Sequence, residues 1–164
     1  MIVPACPEHV SFVHALWTAD CNSAYLDPPD PGEIEALQAE GNLLLWMEQN
    51  TPSGFAVLTE WLPDVWGLRE FAVQRPGQGT GQGRSFLEAL LIEVFDHRHG
   101  HRLGLDCTAD NTRAIRFFQK AGFVQEGVWR ECWKRSDGHW VDCIFYALLA
   151  REWREERAKP SGRA

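Results

Sequence analysis

The topology of this protein follows from the stretch "LREFAVQRPGQGTGQGR", residues 68–84. Its first six residues are mostly apolar and predict a strand, and the rest places four glycines at every second position, from Gly77 to Gly83. An ordered glycine costs roughly 0.5–1 kcal/mol of backbone entropy, so this spacing is expected where a backbone closely approaches a ligand. Apolar residues between Phe86 and Phe95 recur at helical spacing and predict a helix over 82–97. The stretch therefore predicts a strand, a glycine loop and a helix in direct succession.

The segments on either side predict a mixed α/β domain. In chain order, the predicted elements are a strand at 2–5, a helix from 7 to 20, a helix beginning at 30–33, strands at 42–49 and 54–61 around a turn at 50–53, a strand at 66–73, the helix at 82–97, a strand at 102–109, a helix at 111–122, and strands at 123–135 and 139–150 around a hairpin turn at 136–138. The strand–helix–strand unit predicts a right-handed parallel crossover. The sheet therefore has an antiparallel part and one parallel pair at its centre. One domain is expected over 1–157, followed by a disordered tail at 158–164.

Composition narrows the function classes. The chain has 164 residues and a net charge of −7, which argues against a nucleic-acid partner and mildly favours cationic partners. No apolar run approaches the roughly 20 residues of a membrane span, and the first residues do not resemble a secretory signal. Five cysteines without CxxC spacing predict reduced thiols and a cytoplasmic location. A two-residue turn at Asp137-Gly138 would place Cys132 opposite Cys143. His97, His99 and His101 lack an acid or cysteine to complete a ligand set, so no metal is expected.

Three kinds of phosphate site and a plain flexible turn compete as interpretations of the glycine loop. A dinucleotide fingerprint is disfavoured because the loop gives only G-x-G-x-G and no acid follows at the required distance. A nucleotide P-loop would need Gln78 in place of its first glycine and Arg84 in place of its lysine. A pyrophosphate site of the form Q-x-x-G-x-G followed by Arg matches Gln78, Gly81, Gly83 and Arg84 without substitution. In that site, loop amides and a helix N-terminus would face the anion, and Arg84 would add a charge-assisted contact.

A second motif, "NTRAIRFFQKAGF" at residues 111–123, follows the loop. With Asn111, Ala114, Phe118 and Gly122-Phe123 in place, the two motifs together resemble those of the GNAT N-acyltransferases. The C-terminal part is similar to the branch that contains ribosomal-protein N-terminal acetyltransferases and small-amine acetyltransferases. The resemblance implies a GNAT-like fold: a mixed, mostly antiparallel sheet with a central splayed parallel strand pair, flanked by helices on both faces.

The resemblance also implies acetyl-CoA as the co-substrate. Its pyrophosphate would lie on the amides of residues 78–83, and its pantetheine arm would run along residues 71–73, where a backbone N–H would polarise the thioester carbonyl. Asn111 would bond the pantetheine. The complete predicted donor site consists of Phe71, Ala72, Val73, Gln78, Gly79, Thr80, Gly81, Gln82, Gly83, Arg84, Asn111, Ala114, Phe118 and Lys120.

Glu70 is the predicted general base. An alkylamine with a pKa of about 10.4 is nearly all protonated at neutral pH, so a base beside the thioester would assist its attack. The alternative is that Glu70 is merely a polar residue on an exposed strand face. Glu60 and Asp64, near the strand ends, are the reserve candidates.

The proton donor for the thiolate is left open by two departures from the family pattern. Many members carry a tyrosine where this chain has Phe118, and the ribosomal-protein branch can use a serine where this chain has Ala114. Neither residue can donate a proton, so the thiolate would leave unassisted or take a proton from water. Tyr146 is expected in the core.

The resulting prediction is an N-acetyltransferase acting on a primary amine of a small molecule or a protein N-terminus, with a cationic acceptor left open. The loops at 20–32 and 60–66 are expected to select the acceptor. A non-catalytic acyl-CoA-binding module and a P-loop nucleotide-binding protein are the alternatives. A homodimer is left open.

Overall fold

The computed structural model of the protein describes residues 1–74 and 79–159, which form seven strands and five α-helices. The strands are β1 (Ile2–Pro4), β2 (Leu43–Glu48), β3 (Thr51–Leu62), β4 (Val65–Val73), β5 (Arg102–Thr108), β6 (Val124–Lys134) and β7 (Trp140–Leu149). The helices are α1 (Val10–Trp17), α2 (Glu33–Ala39), α3 (Gln82–Ile92), α4 (Thr112–Lys120) and α5 (Ala150–Ala158). A 3₁₀ turn over Pro7–His9 precedes α1, and a π-helical turn over Glu93–His97 continues α3 to its predicted end.

The strands form one sheet in the order β1-β2-β3-β4-β5-β7-β6. Neighbouring strands are antiparallel except β4 and β5, which are parallel. This arrangement follows from the crossover, because β4 leads through the glycine loop and α3 into β5. The predicted fold class, a mostly antiparallel sheet with a central parallel pair, is confirmed.

Helices cover both faces of the sheet because successive residues of its central strands point to opposite faces. Phe55 and Val57 of β3 pack on one face with the apolar sides of α1 and α2. Ala56 and Leu58 pack on the other face with α3 and α5. We call these the α1/α2 face and the α3/α5 face. Each fully buried large apolar side chain contributes about 1.5–3 kcal/mol, so both faces contribute to stability.

Strand β4 exchanges faces in its middle because Arg69 is an extra residue in its pairing with β3. Leu68 and Glu70 pair with successive residues of β3, which leaves Arg69 without an opposite residue. Leu68 belongs to the core of the α3/α5 face, whereas Ala72 belongs to that of the α1/α2 face. A regular strand would keep residues 68, 70 and 72 on one face. The bulge therefore moves Glu70 to the α1/α2 face.

The parallel pairing of β4 and β5 is short. It covers three positions, the last of which joins Gly67 to Gly104, although β4 continues to Val73 and β5 to Thr108. Beyond Gly104, β5 continues its pairing with β7. The two parallel strands therefore diverge toward their carboxyl ends and leave a gap in the middle of the sheet.

The indole of Trp61 lies across the closed end of this parallel pair. A Cβ atom on Gly67 would lie 2.3 Å from the Trp61 ring, and one on Gly104 would lie 2.7 Å from it. Only glycine at these two positions permits so close an approach. Trp61 itself is an extra residue of β3 opposite β4 and remains half exposed.

The first hairpin differs from its prediction. The predicted turn at 50–53 is wrong, because Glu48 pairs with Thr51 and the turn consists of Gln49 and Asn50. Both turn residues have positive φ, 46° and 63°, as expected for the tightest hairpin turns. The Pro and Ser residues of 50–53 suggested a longer turn, but they belong to β3.

The last hairpin also differs. Trp129, rather than Cys132, lies opposite Cys143, so the predicted opposition of the two cysteines is wrong. Residues 130–132 face a single residue of β7, and Glu131 has a φ of 50°. This bulge shifts the register of β6. Cys132 and Cys143 are free thiols, and burial, followed by the contact with Cys132, raises the pKa of the Cys143 thiol.

The start of α2 was predicted wrongly, and α5 was not predicted. The helix α2 begins at Glu33 after Gly32 rather than at Asp30, although the Glu33 carboxylate accepts the Asp30 N–H at 2.8 Å. The last strand ends at Leu149, and α5 occupies residues 150–158, where a strand end, an unassigned segment and the first tail residue were predicted. Trp153 explains α5, because its ring packs on Phe95 with centroids 5.3 Å apart. The domain boundary at 157 stays a prediction, and residues 160–164 lie outside the described residues.

Within the described ranges, no helix combines the length and apolarity needed to cross a bilayer.

Candidate active site

Backbone groups of β4 border the gap between the parallel strands. The Gln74 N–H donates to the Ser53 carbonyl at 2.9 Å. The alternation of an antiparallel ladder then directs the Ala72 N–H toward β3 and those of Phe71 and Val73 toward the gap. This is the orientation that the predicted role of residues 71–73 requires, and that role stays a prediction.

The glycine loop ends at Gly81, which caps α3. Gly79 and Gly81 have φ values of 85° and 91°, a region that residues with a side chain rarely adopt. The Gly81 carbonyl accepts the Ser85 N–H at 3.1 Å, so the helix begins there with its first N–H groups unpaired within the helix. Arg84 is exposed in this first turn. Gln78 lies outside the described residues, so its predicted role stays a prediction.

Gln82 anchors the start of α3 to the hairpin of β2 and β3. Its Nε2 atom donates to Ser53 Oγ at 3.3 Å, and Ser53 Oγ donates to the Trp46 carbonyl at 3.3 Å. Gln82 is only 8% exposed. Its side chain therefore fixes the position of the helix N-terminus, and its predicted contact with the donor stays a prediction. The sequence pattern did not indicate this anchor because the partners lie about 30 residues away.

The second motif forms α4. The Asn111 side-chain oxygen accepts the Ala114 N–H at 3.1 Å and so caps the helix. Gly122 follows the helix with a φ of 92°, as predicted for a left-handed C-terminal cap. Phe118 is buried and Lys120 is exposed. The contacts proposed from the resemblance for Asn111, Ala114, Phe118 and Lys120 stay predictions.

Aromatic rings join α3, β4 and α4 at the gap. Phe71 stacks on Phe86 with centroids 5.0 Å apart and on Phe117 with centroids 5.8 Å apart. A Cβ atom on Gly83 would lie 3.7 Å from the Phe117 ring. The three segments that carry the predicted donor residues therefore meet in one place. We call this place, on the α3/α5 face, the donor side.

Glu70 lies at the gap on the α1/α2 face and is 6% exposed. Arg69 Nε lies 3.8 Å from Glu70 Oε1, because the bulge brings consecutive side chains together. Burial raises the pKa of Glu70 to about 8, the Arg69 charge opposes this rise, and nearby acids add to it. A carboxyl group with this pKa exchanges protons near neutral pH, as a general base must. The alternative of an exposed polar residue is wrong.

Two further acids near Glu70 were missed by sequence reasoning. Asp27 and Asp106 both raise the pKa of Glu70 through their charges, as Glu33 does more weakly. The pKa of Asp106 is itself raised, first by partial desolvation and then by Asp27. Asp106 pairs with Phe145 of β7 on the open part of β5. The one signal in the sequence was that Asp106 follows the apolar Leu105 in a predicted strand, so the two side chains point to opposite faces of the sheet.

The segment between α1 and α2 brings Asp27 to the gap. The Trp17 Nε1 atom donates to the Asp27 carbonyl at 2.5 Å, and the Arg69 guanidinium lies 5.8 Å from the Trp17 ring centroid. Arg69 also pairs with Glu33 of α2. These contacts hold residues 18–32 beside Glu70. We call the α1/α2 face of the gap, with Glu70, Asp27 and Asp106, the acceptor side.

The reserve candidates lie away from this cluster. The Glu60 carboxylate accepts the Asp64 N–H at 3.0 Å. Both residues are exposed, Glu60 near the end of β3 and Asp64 in the turn between β3 and β4. Tyr146 is 1% exposed and its hydroxyl accepts a hydrogen bond from Gln119 Nε2 at 3.4 Å. This confirms Tyr146 as a core residue.

Among the described residues, a group of potential metal ligands occurs at the 3₁₀ turn before α1. Ligand atoms of Cys6, Glu8 and His9 lie within 4.8 Å of one another. Cys6 Sγ is 3.0 Å from His9 Nδ1, which also accepts the Cys6 N–H at 3.2 Å. Hydrogen bonds thus account for this grouping. His97 pairs with Glu93 instead, with 2.9 Å between His97 Nδ1 and Glu93 Oε2.

The arrangement defines a class of protein. A mixed sheet with a diverging parallel pair, a glycine loop and helix N-terminus on one face and a buried carboxyl on the other suits a group transferase that binds its donor between the strands. A sequence profile described as the acetyltransferase (GNAT) family matches residues 10–123. The chain belongs to this family and is an acetyltransferase, as its two motifs predicted.

Individual relatives agree with this assignment. A ribosomal-protein-alanine N-acetyltransferase of Escherichia coli is 31% identical over 111 residues, which cover 68% of this chain and 74% of that protein. The crystal structure of the Escherichia coli ribosomal-protein-alanine N-acetyltransferase matches with a TM-score of 0.76 at 21% identity, covering 100% of this chain and 97% of that one. A Vibrio cholerae spermidine N-acetyltransferase, solved with CoA and spermine, matches with a TM-score of 0.82 at 18% identity, covering 94% and 97%.

Proposed function

We propose that this protein transfers the acetyl group of acetyl-CoA to a primary amine in a ternary complex, with Glu70 as the general base. The observation that carries the proposal is the buried Glu70 carboxyl, with a pKa of about 8, beside the gap between β4 and β5. Starting from the protonated amine, the transfer forms a carbon–nitrogen bond, breaks the carbon–sulfur bond of the thioester and releases two protons. Glu70 accepts the first proton, directly or through water, which leaves the neutral amine free to attack, and the second proton passes to water.

The donor side would hold acetyl-CoA. The N–H groups at the start of α3 and the exposed Arg84 suit a pyrophosphate. The gap offers the edge of residues 71–73 to an extended arm, and the Phe71 N–H is directed at it. A backbone N–H at this edge would stabilise charge that develops on the thioester oxygen.

The pKa of Glu70 determines which amines it can deprotonate efficiently. An α-amine has a pKa of about 7.7–8.0, close to that of Glu70, so proton transfer costs almost no free energy. An alkylammonium group with a pKa of about 10.4 would lose its proton to Glu70 less readily, at a cost of roughly 3 kcal/mol. Glu70 therefore favours the less basic amine.

The thiolate would leave without help from a protein acid. Phe118 and Ala114 have no proton to donate, and the Tyr146 hydroxyl is buried in the core. A thiol has a pKa of only about 8.5, so its anion is a fair leaving group near neutral pH. Protonation by water then completes the reaction.

A cationic acceptor suits the charges of the acceptor side. Glu70, Asp27 and Asp106 lie together, with Arg69 the neighbouring cation that offsets them. A protonated amine would therefore be attracted before it is deprotonated. The named relatives act on a ribosomal-protein alanine and on spermidine, and both classes of amine remain candidates here.

Thermal-shift and thiol-release assays test the proposal. CoA at 100 times its dissociation constant would raise the free energy of unfolding by about 2.7 kcal/mol, and ATP would have no effect. Acetyl-CoA would release thiol with at least one class among peptide amides, spermidine, amino acids and aminoglycosides. Stabilisation by ATP alone would indicate a nucleotide loop. CoA binding without amine-dependent thiol release would indicate a non-catalytic acyl-CoA-binding module.

The cytoplasmic location, the absence of a metal requirement, the absence of nucleic-acid and membrane partners and the open question of a homodimer stay predictions from the sequence.

A further inference from the structure

Arg135 is held rigidly at the end of the last hairpin. Its backbone N–H donates to the His139 carbonyl at 2.7 Å, and its carbonyl accepts the Gly138 N–H at 2.9 Å. These two bonds close the turn between β6 and β7. The direction of the Arg135 side chain is therefore set by the hairpin, and that side chain is only 13% exposed.

The Arg135 side chain joins three separate segments. Its Nη2 atom donates to Oγ1 of Thr108, the last residue of β5, at 2.9 Å and to Oδ1 of Asp110, two residues further on, at 2.5 Å. Its guanidinium carbon lies 5.2 Å from the centroid of the Tyr25 ring, in the segment between α1 and α2. Both N–H groups of Nη2 are thereby hydrogen-bonded, and the Tyr25 ring fixes the plane of the guanidinium.

The other terminal nitrogen, Nη1, is buried and has no hydrogen-bond partner among the described residues. A buried charged donor without an acceptor costs more free energy than a neutral one. A guanidinium presents its donors in a fixed fork that suits carbonyl and carboxylate oxygens. The Nη1 atom therefore lacks the acceptor oxygen that a buried guanidinium donor requires, and the described residues do not supply one.

This donor lies beside the acceptor side. Thr108 follows Asp106 by two residues on β5, so both point to the same face about 7 Å apart. Tyr25 precedes Asp27 by two residues in the segment that lies beside Glu70. The Arg135 guanidinium, which touches Thr108 and Tyr25, therefore lies next to the acids that would receive the amine.

We propose that Arg135 is a specificity-determining residue whose Nη1 atom binds a carbonyl or carboxylate oxygen of the acceptor. The acceptor is then an amino-acyl compound, such as a peptide with a free α-amine, which carries an oxygen within one or two residues of its amine. A polyamine has no such oxygen, and its further ammonium groups would be repelled by the guanidinium. This inference rests on the proposed function and narrows its acceptor class.

Calorimetric binding to the protein–CoA complex tests the proposal without requiring turnover. The probes are a tripeptide amide with a free α-amine and spermidine. Replacing Arg135 by Gln is expected to weaken binding of the tripeptide amide by about 10- to 100-fold, as for the loss of a charge-assisted hydrogen bond. Spermidine binding is expected to change by less than about threefold or to improve. Arg135→Lys should recover part of the loss, because it restores the charge without the fork.

The control is Arg151→Gln, which removes the same charge from the exposed surface of α5 and should leave both affinities unchanged. Melting curves establish that each variant is folded. If Arg135→Gln weakened the binding of both probes equally, the proposal would be overturned, and Arg135 would only connect the hairpin to β5 and Tyr25. Failure of the tripeptide amide to bind the wild-type complex would overturn it as well. Arg135-dependent peptide binding without acetyl transfer to any amine would instead contradict the proposed function alone.

Discussion

The donor side consists of backbone amides and aromatic rings, whereas the acceptor side consists of charged side chains. The donor side comes from β4, the start of α3 and α4, which meet through Phe71, Gly83 and Phe117. The acceptor side comes from β5, the segment between α1 and α2 and the bulge of β4, and the last hairpin lies beside it. The donor side should therefore respond to changes of backbone conformation, and the acceptor side to changes of charge and pH.

The largest effect is expected from Glu70→Gln. This change keeps the shape of the side chain but removes the proton acceptor, so kcat/KM should fall by about 100- to 1,000-fold near pH 8. The KM for acetyl-CoA should change little, because the donor side is intact. Steady-state kinetics check both values, with Glu155→Gln on the exposed surface of α5 as the control. A drop in acetyl-CoA affinity of similar size would show that the two sides are not separate.

The next effect concerns stability. The folded-state pKa of Glu70 is about 8 and the unfolded-state value is about 4.3, so the folded protein binds the extra proton between these values. The free energy of unfolding should therefore fall as pH rises from about 4.5 to 8, relative to Glu70→Gln, by about 2–4 kcal/mol in total. Denaturant melts at several pH values measure this difference. A difference that does not depend on pH would contradict the raised pKa.

A smaller effect is expected on the donor side from Gly81→Val. A φ of 91° strains a residue with a side chain by about 1–2 kcal/mol, so the start of α3 should shift. We expect the KM for acetyl-CoA to rise by about 10-fold, which corresponds to about 1.4 kcal/mol, while the acceptor KM stays unchanged. Gly127→Val is the matched control, because Gly127 lies on β6 with open space around its Cα. If Gly81→Val and Gly127→Val raised the KM for acetyl-CoA equally, the backbone conformation at Gly81 would have no specific part in binding acetyl-CoA.

The smallest effect is expected from Phe118→Tyr. The thiolate is a fair leaving group, so supplying a hydroxyl should change kcat by less than about threefold. Rapid-mixing and steady-state assays measure the rate, and Phe123→Tyr, elsewhere in the same aromatic cluster, is the comparison. An increase of about 100-fold with Phe118→Tyr alone would mean that thiolate protonation limits the wild-type enzyme.

The donor side could be predicted from the sequence because its determinants are local. The spacing of Gly81, Gly83 and Asn111 within two motifs was sufficient to place a strand, a loop and two helices in order. The side-chain anchor of Gln82 could not be predicted, because it depends on Ser53 in a distant hairpin. A motif describes residues that are close in sequence, whereas Gln82 and Ser53 come together only in the folded chain.

The acceptor side was only partly predictable. Glu70 was proposed as the general base, which stays a prediction, and its burial was not predicted, because it depends on the bulge at Arg69 and bulges leave little signal in a single sequence. Asp27, Asp106 and Arg135 have no shared spacing, because the segment between α1 and α2, β5 and the last hairpin approach one another only in the folded chain. The predicted opposition of Cys132 and Cys143 was also wrong because of a bulge. The bulge at residues 130–132 shifts the pairing of β6 with β7 away from a regular register.

The ratio of kcat/KM between the wild-type protein and Glu70→Gln, measured from about pH 6 to 9.5, tests the central claim most directly. The titration of the acceptor amine cancels in this ratio and leaves that of Glu70. We predict that the ratio rises about tenfold per pH unit and levels off near pH 8, where the Glu70 carboxyl loses its proton. A ratio that is constant over this range would contradict the role of Glu70 as the general base.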